Sequence, residues 1–157
     1  MKGHDRPFIS LLVCTLRIAS SKPICYLSIH RYEYNFGVFP ALFLDRDGVI
    51  IENRHDYVRS WADVDIYPQA LNALAMIHHI PYKIIIVTNQ SAVGRGMVNS
   101  AEVNHINNRL VEQITRAGGR IDGVYTCPHL PQDNCTCRKP KPGLIYQAAA
   151  DLSLDLA

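Results

Sequence analysis

Two apolar runs along the chain end abruptly in polar residues. The first run, Ala41–Leu44, is followed by Asp45 and Asp47, and the second, Lys83–Val87, is followed by Thr88. Both runs are continuous rather than alternating, which is typical of strands that are covered on both faces of a sheet. The pattern therefore predicts two buried strands with polar side chains at their ends.

Three further stretches carry apolar residues at the three- and four-residue spacing of a helix that buries one face. The first opens at Pro68, and proline is favoured at the first position of a helix. The second runs from about residue 100 to residue 117 and is preceded by a capping arrangement of Asn99 and Glu102. The last helix begins near Pro142.

The order of these elements predicts the fold class. A short third strand is predicted at Asp122–Thr126, so strands and helices alternate, as they do in α/β proteins built from parallel βαβ units. Residues 1–38 show no clear period and stay unassigned. The apolar run Phe8–Ile18 is faintly similar to a signal peptide, but Asp5, Arg17 and the lack of an A-x-A cleavage site count against that interpretation.

Composition narrows the class of protein. The 157 residues suit one domain, and 48% apolar with 19% charged residues indicates a globular chain. A formal net charge of +2 is too small to indicate binding to nucleic acid or to an anionic membrane, and no apolar run approaches the length of a membrane span. Three of the five cysteines fall within eleven residues, which favours a metal site in a reducing, cytoplasmic compartment over a disulfide framework.

The clustered cysteines form a C-x-H…C-x-C pattern. Three thiolates and one imidazole suit a closed tetrahedral Zn²⁺ site, which leaves no open position and is therefore structural rather than catalytic. Reduced thiols without a metal and a redox or zinc-regulatory module are the alternatives. The predicted zinc ligands are Cys127, His129, Cys135 and Cys137.

Four polar residues at or near predicted strand ends indicate phosphate chemistry. Asp45 and Asp47 lie one residue apart, and two such carboxylates repel each other unless a cation or a shared proton compensates. A plain Asp-Arg-Asp-Gly turn is the alternative. If Thr88 and Lys139 join the aspartates at the same edge of the sheet, the set suits phosphoryl transfer, where positioning and charge neutralisation supply most of the rate.

Three sequence blocks, FLDRDG, VTNQS and CxH…CxCRKPxPG, resemble the haloacid dehalogenase-like phosphatase superfamily. More narrowly, the chain resembles the D-glycero-D-manno-heptose 1,7-bisphosphate phosphatases and the related histidinol-phosphate phosphatases, over roughly Phe39 to Leu152. The resemblance implies a three-layer α/β/α Rossmann-like parallel sheet. It also implies that residues 39–157 form a partial phosphatase core with a zinc-binding loop.

The resemblance also implies roles for individual residues. Asp45 would be the nucleophile that becomes an aspartyl-phosphate, and Asp47 would be the general acid and base. The Asp45 carboxylate and the Asp47 main-chain carbonyl would hold Mg²⁺. Thr88 would bind the phosphoryl group and Lys139 would neutralise its charge. The residues implied on the substrate side are Asn89, Gln90, Ser91 and Arg138, with Asn53–Tyr57 as a flap.

One departure from the family pattern concerns the C-terminus. The family carries a fourth, acidic motif on the strand after the last helix, and its aspartate supplies a third protein ligand to Mg²⁺. This sequence ends before that motif, so the resemblance implies an incomplete sheet with an exposed edge, and weaker Mg²⁺ binding.

Three functional hypotheses stay open. The first is Mg²⁺-dependent hydrolysis of a small phosphorylated sugar, most closely a heptose 1,7-bisphosphate, by a monomer that contacts neither nucleic acid nor membrane. The second is hydrolysis of histidinol phosphate, which the same motifs would serve. The third is a non-catalytic, zinc-stabilised fragment that binds a phosphorylated ligand or a partner chain.

Overall fold

A computed structural model of the chain describes residues 10–14, 27–31 and 38–156. The chain divides into two units, Met1–Gly37 and Val38–Ala157. In the first unit, strands β1 (Ser10–Cys14) and β2 (Leu27–Arg31) pair in antiparallel fashion. The sequence pattern did not predict this hairpin, and most of the stretch considered as a signal peptide lies outside the described residues.

The second unit is built on a sheet of three parallel strands. Strand β4 (Lys83–Asn89) lies between β3 (Ala41–Leu44) and β5 (Gly123–Cys127). All three predicted strands are therefore confirmed. Strand β4 extends two residues beyond the predicted end at Val87, so that Thr88 lies within the strand rather than after it.

The helices of this unit follow the predicted pattern. Pro68 opens α1 (Pro68–Met76), and α3 (Ser100–Arg116) is capped by the Asn99 side chain, which accepts a hydrogen bond from the Glu102 N–H at 2.7 Å. The last helix is α4 (Gly143–Leu152). A single-turn helix, α2 (Ser91–Gly94), is too short to show a period in the sequence. Two 3₁₀ turns complete the unit, Trp61–Asp63 and Pro131–Asp133. Among the described residues, no helix has the length and apolar character needed to cross a bilayer.

Strand β4 places helices on both faces of the sheet, because its side chains point alternately to one face and the other. Ile84 and Ile86 pack in one apolar cluster with residues of α1 and α3, whereas Ile85 and Val87 pack in a second cluster with α4. This confirms the three-layer α/β/α arrangement. The helical residues buried in these clusters are Leu74, Ile106, Leu110 and Ile114 on the first face, and Leu144 and Ala148 on the second.

Strand β3 is less buried than predicted. All four of its residues are half-buried, because β3 is an outer strand of the sheet within residues 38–156. Its outer side pairs only at its start, where Phe39 forms a parallel bridge with Leu154. There the Phe39 N–H donates to the Ser153 carbonyl and the Asp155 N–H donates to the Phe39 carbonyl, each at 2.9 Å. The last described residues thus run parallel to the chain that leads into β3.

Candidate active site and metal centre

The ends of β3 and β4 open into a cleft of about 290 Å³. Because the carboxyl ends of parallel strands lie at the same edge of a sheet, residues distant in sequence meet there. The cleft brings together six of the eight residues predicted for catalysis and substrate binding: Asp45, Asp47, Thr88, Asn89, Gln90 and Lys139. The segment between β3 and α1 contributes the other wall, with Asn53, Arg54, Tyr57 and Val58.

Asp45 faces the cleft beside a fixed cation. Its carboxylate is about half exposed, and the Lys139 ammonium donates to Oδ2 at 2.7 Å. The Arg46 N–H donates to Oδ1 at 2.8 Å. Lys139 is itself held in place, because its Nζ also donates to the Val87 carbonyl at 2.8 Å and its main chain exchanges two hydrogen bonds with the Asn89 side chain, at 3.1 and 3.2 Å.

Asp47 lies deeper and is surrounded by donors. Its Oδ2 accepts hydrogen bonds from Thr88 Oγ1 at 3.1 Å, Gln90 Nε2 at 2.9 Å and Arg46 Nε at 3.0 Å. Its Oδ1 accepts one from Arg46 Nη2 at 3.0 Å. The two aspartates therefore differ: Asp45 is the more exposed and is paired with an ammonium group, whereas Asp47 is less exposed and is paired with a guanidinium.

A tight turn separates the aspartates from the flap. Gly48 has a φ of +78°, a left-handed conformation that glycine adopts without steric cost. Its N–H donates to the Ile51 carbonyl at 2.8 Å, and the Ile51 N–H returns to the Arg46 carbonyl at 3.1 Å. Residues 50–52 then form main-chain hydrogen bonds with residues 65–67, and Arg54 forms an ion pair with Asp65. This turn holds the flap over the strand ends.

The four predicted zinc ligands lie together. Their ligand atoms all fall within 4.8 Å of one another. Cys137 Sγ lies 3.2 Å from Cys127 Sγ, 3.5 Å from Cys135 Sγ and 3.2 Å from His129 Nδ1. A tetrahedral ion with Zn–S bonds of about 2.3 Å would place sulfur ligands about 3.8 Å apart. The Cys127 and Cys135 sulfurs, 3.7 Å apart, have this spacing, and the two sulfur contacts of Cys137 are shorter. The donor set suits a closed Zn²⁺ site.

Crowding shifts the acidity of two of these thiols in opposite directions. Burial opposes ionisation of Cys135, but hydrogen bonds from the Cys137 thiol and the Arg138 N–H outweigh it and lower the pKa of Cys135 to about 7. Burial, together with the hydrogen bonds that it donates to Cys127 and Cys135, raises the pKa of Cys137 to about 12. One thiol thus holds a proton between its neighbours, and a bound cation would displace that proton.

The metal loop packs closely between two helices. The Gly94 N–H at the end of α2 donates to the Pro128 carbonyl at 3.0 Å, and the Gly143 N–H at the start of α4 donates to the Thr136 carbonyl at 3.1 Å. A Cβ at Gly143 would collide with that same carbonyl oxygen, so the close approach requires glycine.

Two predicted substrate residues lie outside the cleft lining. Ser91 begins α2, and it does not line the cleft. The Arg138 guanidinium donates to the His129 carbonyl at 3.1 Å and lines a neighbouring cavity of about 250 Å³. Their roles toward a substrate stay predictions.

Sequence analysis missed two residues that support the site, Arg46 and Asn107. Both are buried, and Arg46 Nη1 donates to Asn107 Oδ1 at 2.9 Å. A signal for Asn107 was present, because it lies four residues after Val103 and three before Leu110 and is therefore a polar residue on the apolar stripe of α3. Arg46 has no such signal, since an arginine between two aspartates ordinarily suggests an exposed turn.

Several known proteins match this chain in sequence. The family model described as polynucleotide kinase 3 phosphatase matches residues 41–156. The "D-glycero-beta-D-manno-heptose-1,7-bisphosphate 7-phosphatase" of Bordetella bronchiseptica is 34% identical over 116 residues, which are 74% of this chain and 65% of the relative. The corresponding probable enzyme of Thermoplasma acidophilum is 39% identical over 117 residues, 74% of this chain and 72% of the relative.

Two solved structures share the fold. The crystal structure of D,D-heptose 1,7-bisphosphate phosphatase from B. bronchiseptica, complexed with magnesium and phosphate, matches with a TM-score of 0.70 and 34% identity over 76% of this chain and 66% of that one. A putative HAD-like phosphatase from Mesorhizobium loti matches with a TM-score of 0.68 and 34% identity over 76% and 60%.

The fold and the paired aspartates define a domain of the haloacid dehalogenase-like phosphatase class, which confirms the resemblance found in the three sequence blocks. The chain belongs to the polynucleotide kinase 3 phosphatase family. It spans 65% of the length of the Bordetella relative and 56% of the Neisseria meningitidis relatives.

Proposed function

We propose that the chain hydrolyses a phosphomonoester of a phosphorylated sugar, with a D-glycero-D-manno-heptose 1,7-bisphosphate as the first candidate substrate. The observation that carries the proposal is the pair of unlike aspartates that line one cleft: Asp45 has Lys139 at 2.7 Å, and the less exposed Asp47 is paired with Arg46. The substrate class is taken from the printed names of the relatives.

In the first step, a carboxylate oxygen of Asp45 attacks phosphorus and the bond from phosphorus to the sugar oxygen breaks. The leaving oxygen takes a proton from the Asp47 carboxyl group, while Lys139 offsets negative charge on the phosphoryl oxygens. In the second step, Asp47 accepts a proton from water, whose oxygen attacks phosphorus. Inorganic phosphate leaves and the Asp45 carboxylate is regenerated.

We infer that Mg²⁺ binds beside Asp45, because carboxylate and carbonyl oxygens are the ligands that this ion prefers. The Asp45 carboxylate and the Asp47 main-chain carbonyl would hold it. When bound, Mg²⁺ neutralises charge on the transferring phosphoryl group. Within the described part of the chain, three or more His, Cys, Asp or Glu side chains meet at ligand distance only in the cysteine cluster. Water and substrate oxygens would therefore complete the coordination.

We infer that Zn²⁺ is held by Cys127, His129, Cys135 and Cys137, because their ligand atoms already lie within 4.8 Å of one another. With all four positions filled by protein, the ion is structural. Its role is to fix the loop that leads into Lys139, two residues after Cys137. The free thiols of this cluster favour a reducing, cytoplasmic compartment.

Replacing Lys141 should weaken the zinc site. Its ammonium donates to the carbonyls of Asn134 and Cys135, at 3.0 and 2.9 Å, and so fixes the second half of the loop. We expect Lys141→Met to lower zinc affinity about tenfold, the size typical of outer contacts at metal sites. Competition with a chromophoric chelator measures this. Lys141→Gln keeps a hydrogen-bond donor, so its zinc affinity should fall between those of the parent and Lys141→Met. Equal affinities for all three proteins would show that Lys141 does not support the zinc site.

A substrate comparison tests the proposed function. Phosphate release is measured with Mg²⁺ present or omitted, from heptose 1,7-bisphosphate, histidinol phosphate and a 3′-phosphorylated oligonucleotide. We expect the sugar bisphosphate to give at least about a tenfold higher kcat/KM than the other two. A preference for histidinol phosphate or the oligonucleotide would overturn the substrate assignment. Release from none of the three, with inorganic phosphate still bound, would show a non-catalytic binding domain.

A further inference from the structure

A chain of hydrogen bonds runs from Asp47, just after β3, through buried side chains to Thr126 in β5. Arg46 contacts both carboxylate oxygens of Asp47, through Nε and Nη2, each at 3.0 Å. Its remaining nitrogen, Nη1, donates to Asn107 Oδ1 at 2.9 Å, and Asn107 Nδ2 donates to Thr126 Oγ1 at 3.3 Å. Three separate elements thus meet behind one carboxylate: the end of β3, the middle of α3 and the end of β5.

Stability alone does not account for this arrangement. Arg46 is 1% exposed and Asn107 is 4% exposed, and removing a guanidinium from water is unfavourable even when it is well paired. Asn107 lies on the apolar stripe of α3, where burying a polar side chain is unfavourable unless it is hydrogen-bonded. Every buried side-chain nitrogen and oxygen in residues 38–156 has a hydrogen-bond partner, so no polar group of this network is left unsatisfied.

The two carboxylate oxygens of Asp47 differ in what surrounds them. Oδ2 accepts from three donors, on Thr88, Gln90 and Arg46, whereas Oδ1 accepts only from Arg46. Arg46 sets the plane of the carboxyl group by contacting both oxygens, and Asn107 prevents the guanidinium from turning about its own side chain.

We propose that Arg46 and Asn107 are positioning residues that orient the Asp47 carboxyl group for proton transfer to the leaving oxygen. This inference rests on the function proposed above for Asp47. Neither residue lines the cleft. Both act through Asp47 and touch no substrate atom.

The test compares two phosphate esters in three variants. Asn107→Leu removes the contact to Arg46, Asn107→Asp retains an acceptor for it, and Ile106→Val is a matched control that loses a methylene from the neighbouring buried position. The alkyl ester, a sugar phosphate, needs protonation of its leaving oxygen, whereas p-nitrophenyl phosphate does not. We expect Asn107→Leu to lower kcat on the sugar phosphate by about tenfold to a hundredfold and on the nitrophenyl ester by less than about threefold. Asn107→Asp and Ile106→Val should stay within about threefold of the parent on both esters.

Equal losses on both esters in Asn107→Leu, or a loss in Ile106→Val as large as that in Asn107→Leu, would overturn the proposal. Melting temperatures show whether each variant is folded. A second readout does not depend on activity. The Arg46 Nε–H resonance, assigned by its loss in Arg46→Lys, should exchange slowly with solvent in the parent, in Asn107→Asp and in Ile106→Val, and faster in Asn107→Leu. A parent chain that hydrolyses neither ester refutes the proposed function, and unchanged exchange in Asn107→Leu refutes the positioning role.

Discussion

Replacing Asp45 by asparagine should abolish phosphate release, with a loss of at least about 10⁴-fold in kcat, because an amide oxygen is a poor nucleophile toward phosphorus. The size and shape of the side chain are retained, and the cleft should still bind inorganic phosphate through Lys139, since its ammonium is also held by the Val87 carbonyl. Release of phosphate from heptose 1,7-bisphosphate, followed with Mg²⁺ in excess, measures the effect.

The matched control for this experiment is Glu112→Gln, which removes an exposed carboxylate from α3 and should leave kcat unchanged. An acid-quenched reaction of the parent should carry a phosphoryl group on the peptide that contains Asp45, and the asparagine variant should carry none. Equal rates for the parent and the variant would show that Asp45 is not the nucleophile.

The sequence predicted the positions of the strands and longer helices because each follows from a local pattern. The continuous runs of β3 and β4 and the stripe of α3 need only neighbouring residues to be recognised. The gathering of Asp45, Thr88 and Lys139 also followed, since parallel strands bring their carboxyl ends to one edge. The partial burial of β3 could not be predicted from the sequence, because the burial of a strand depends on what pairs with its outer side.

Contacts between distant residues account for what sequence reasoning could not predict. The bond from Arg46 to Asn107 joins residues 61 positions apart, and although Asn107 stands out as a polar residue on an apolar stripe, nothing near it indicates Arg46 as its partner. Asn89, predicted on the substrate side, lines the cleft, and its side chain also exchanges two hydrogen bonds with the main chain of Lys139, fifty residues away. Such long-range polar pairs depend on the final packing, so they become visible only in the folded structure.

The cysteine cluster and Lys139 are parts of one loop. Cys137 is the last residue of the cluster and Lys139 lines the cleft, with only Arg138 between them in the sequence. The cysteines of this loop pack in the apolar cluster of α4, and the loop is also held by Gly143 against Thr136 and by Asn89 against Lys139. Loss of the ion would therefore affect both the stability of the domain and the position of Lys139.

Removing zinc should lower the melting temperature by at least about 10 °C and should expose the chain before Arg138 to protease, because binding of a structural ion contributes directly to folding. Phosphate release should fall with it, since Lys139 loses its fixed place beside Asp45. A strong chelator removes both metals, so the two ions are distinguished by adding them back separately. Excess Mg²⁺ alone should leave the deficit, whereas Zn²⁺ together with Mg²⁺ should restore stability and activity. Full recovery with Mg²⁺ alone, or an unchanged melting temperature in Cys137→Ser, would show that the cluster does not hold a structural ion and that Lys139 is positioned by protein contacts alone.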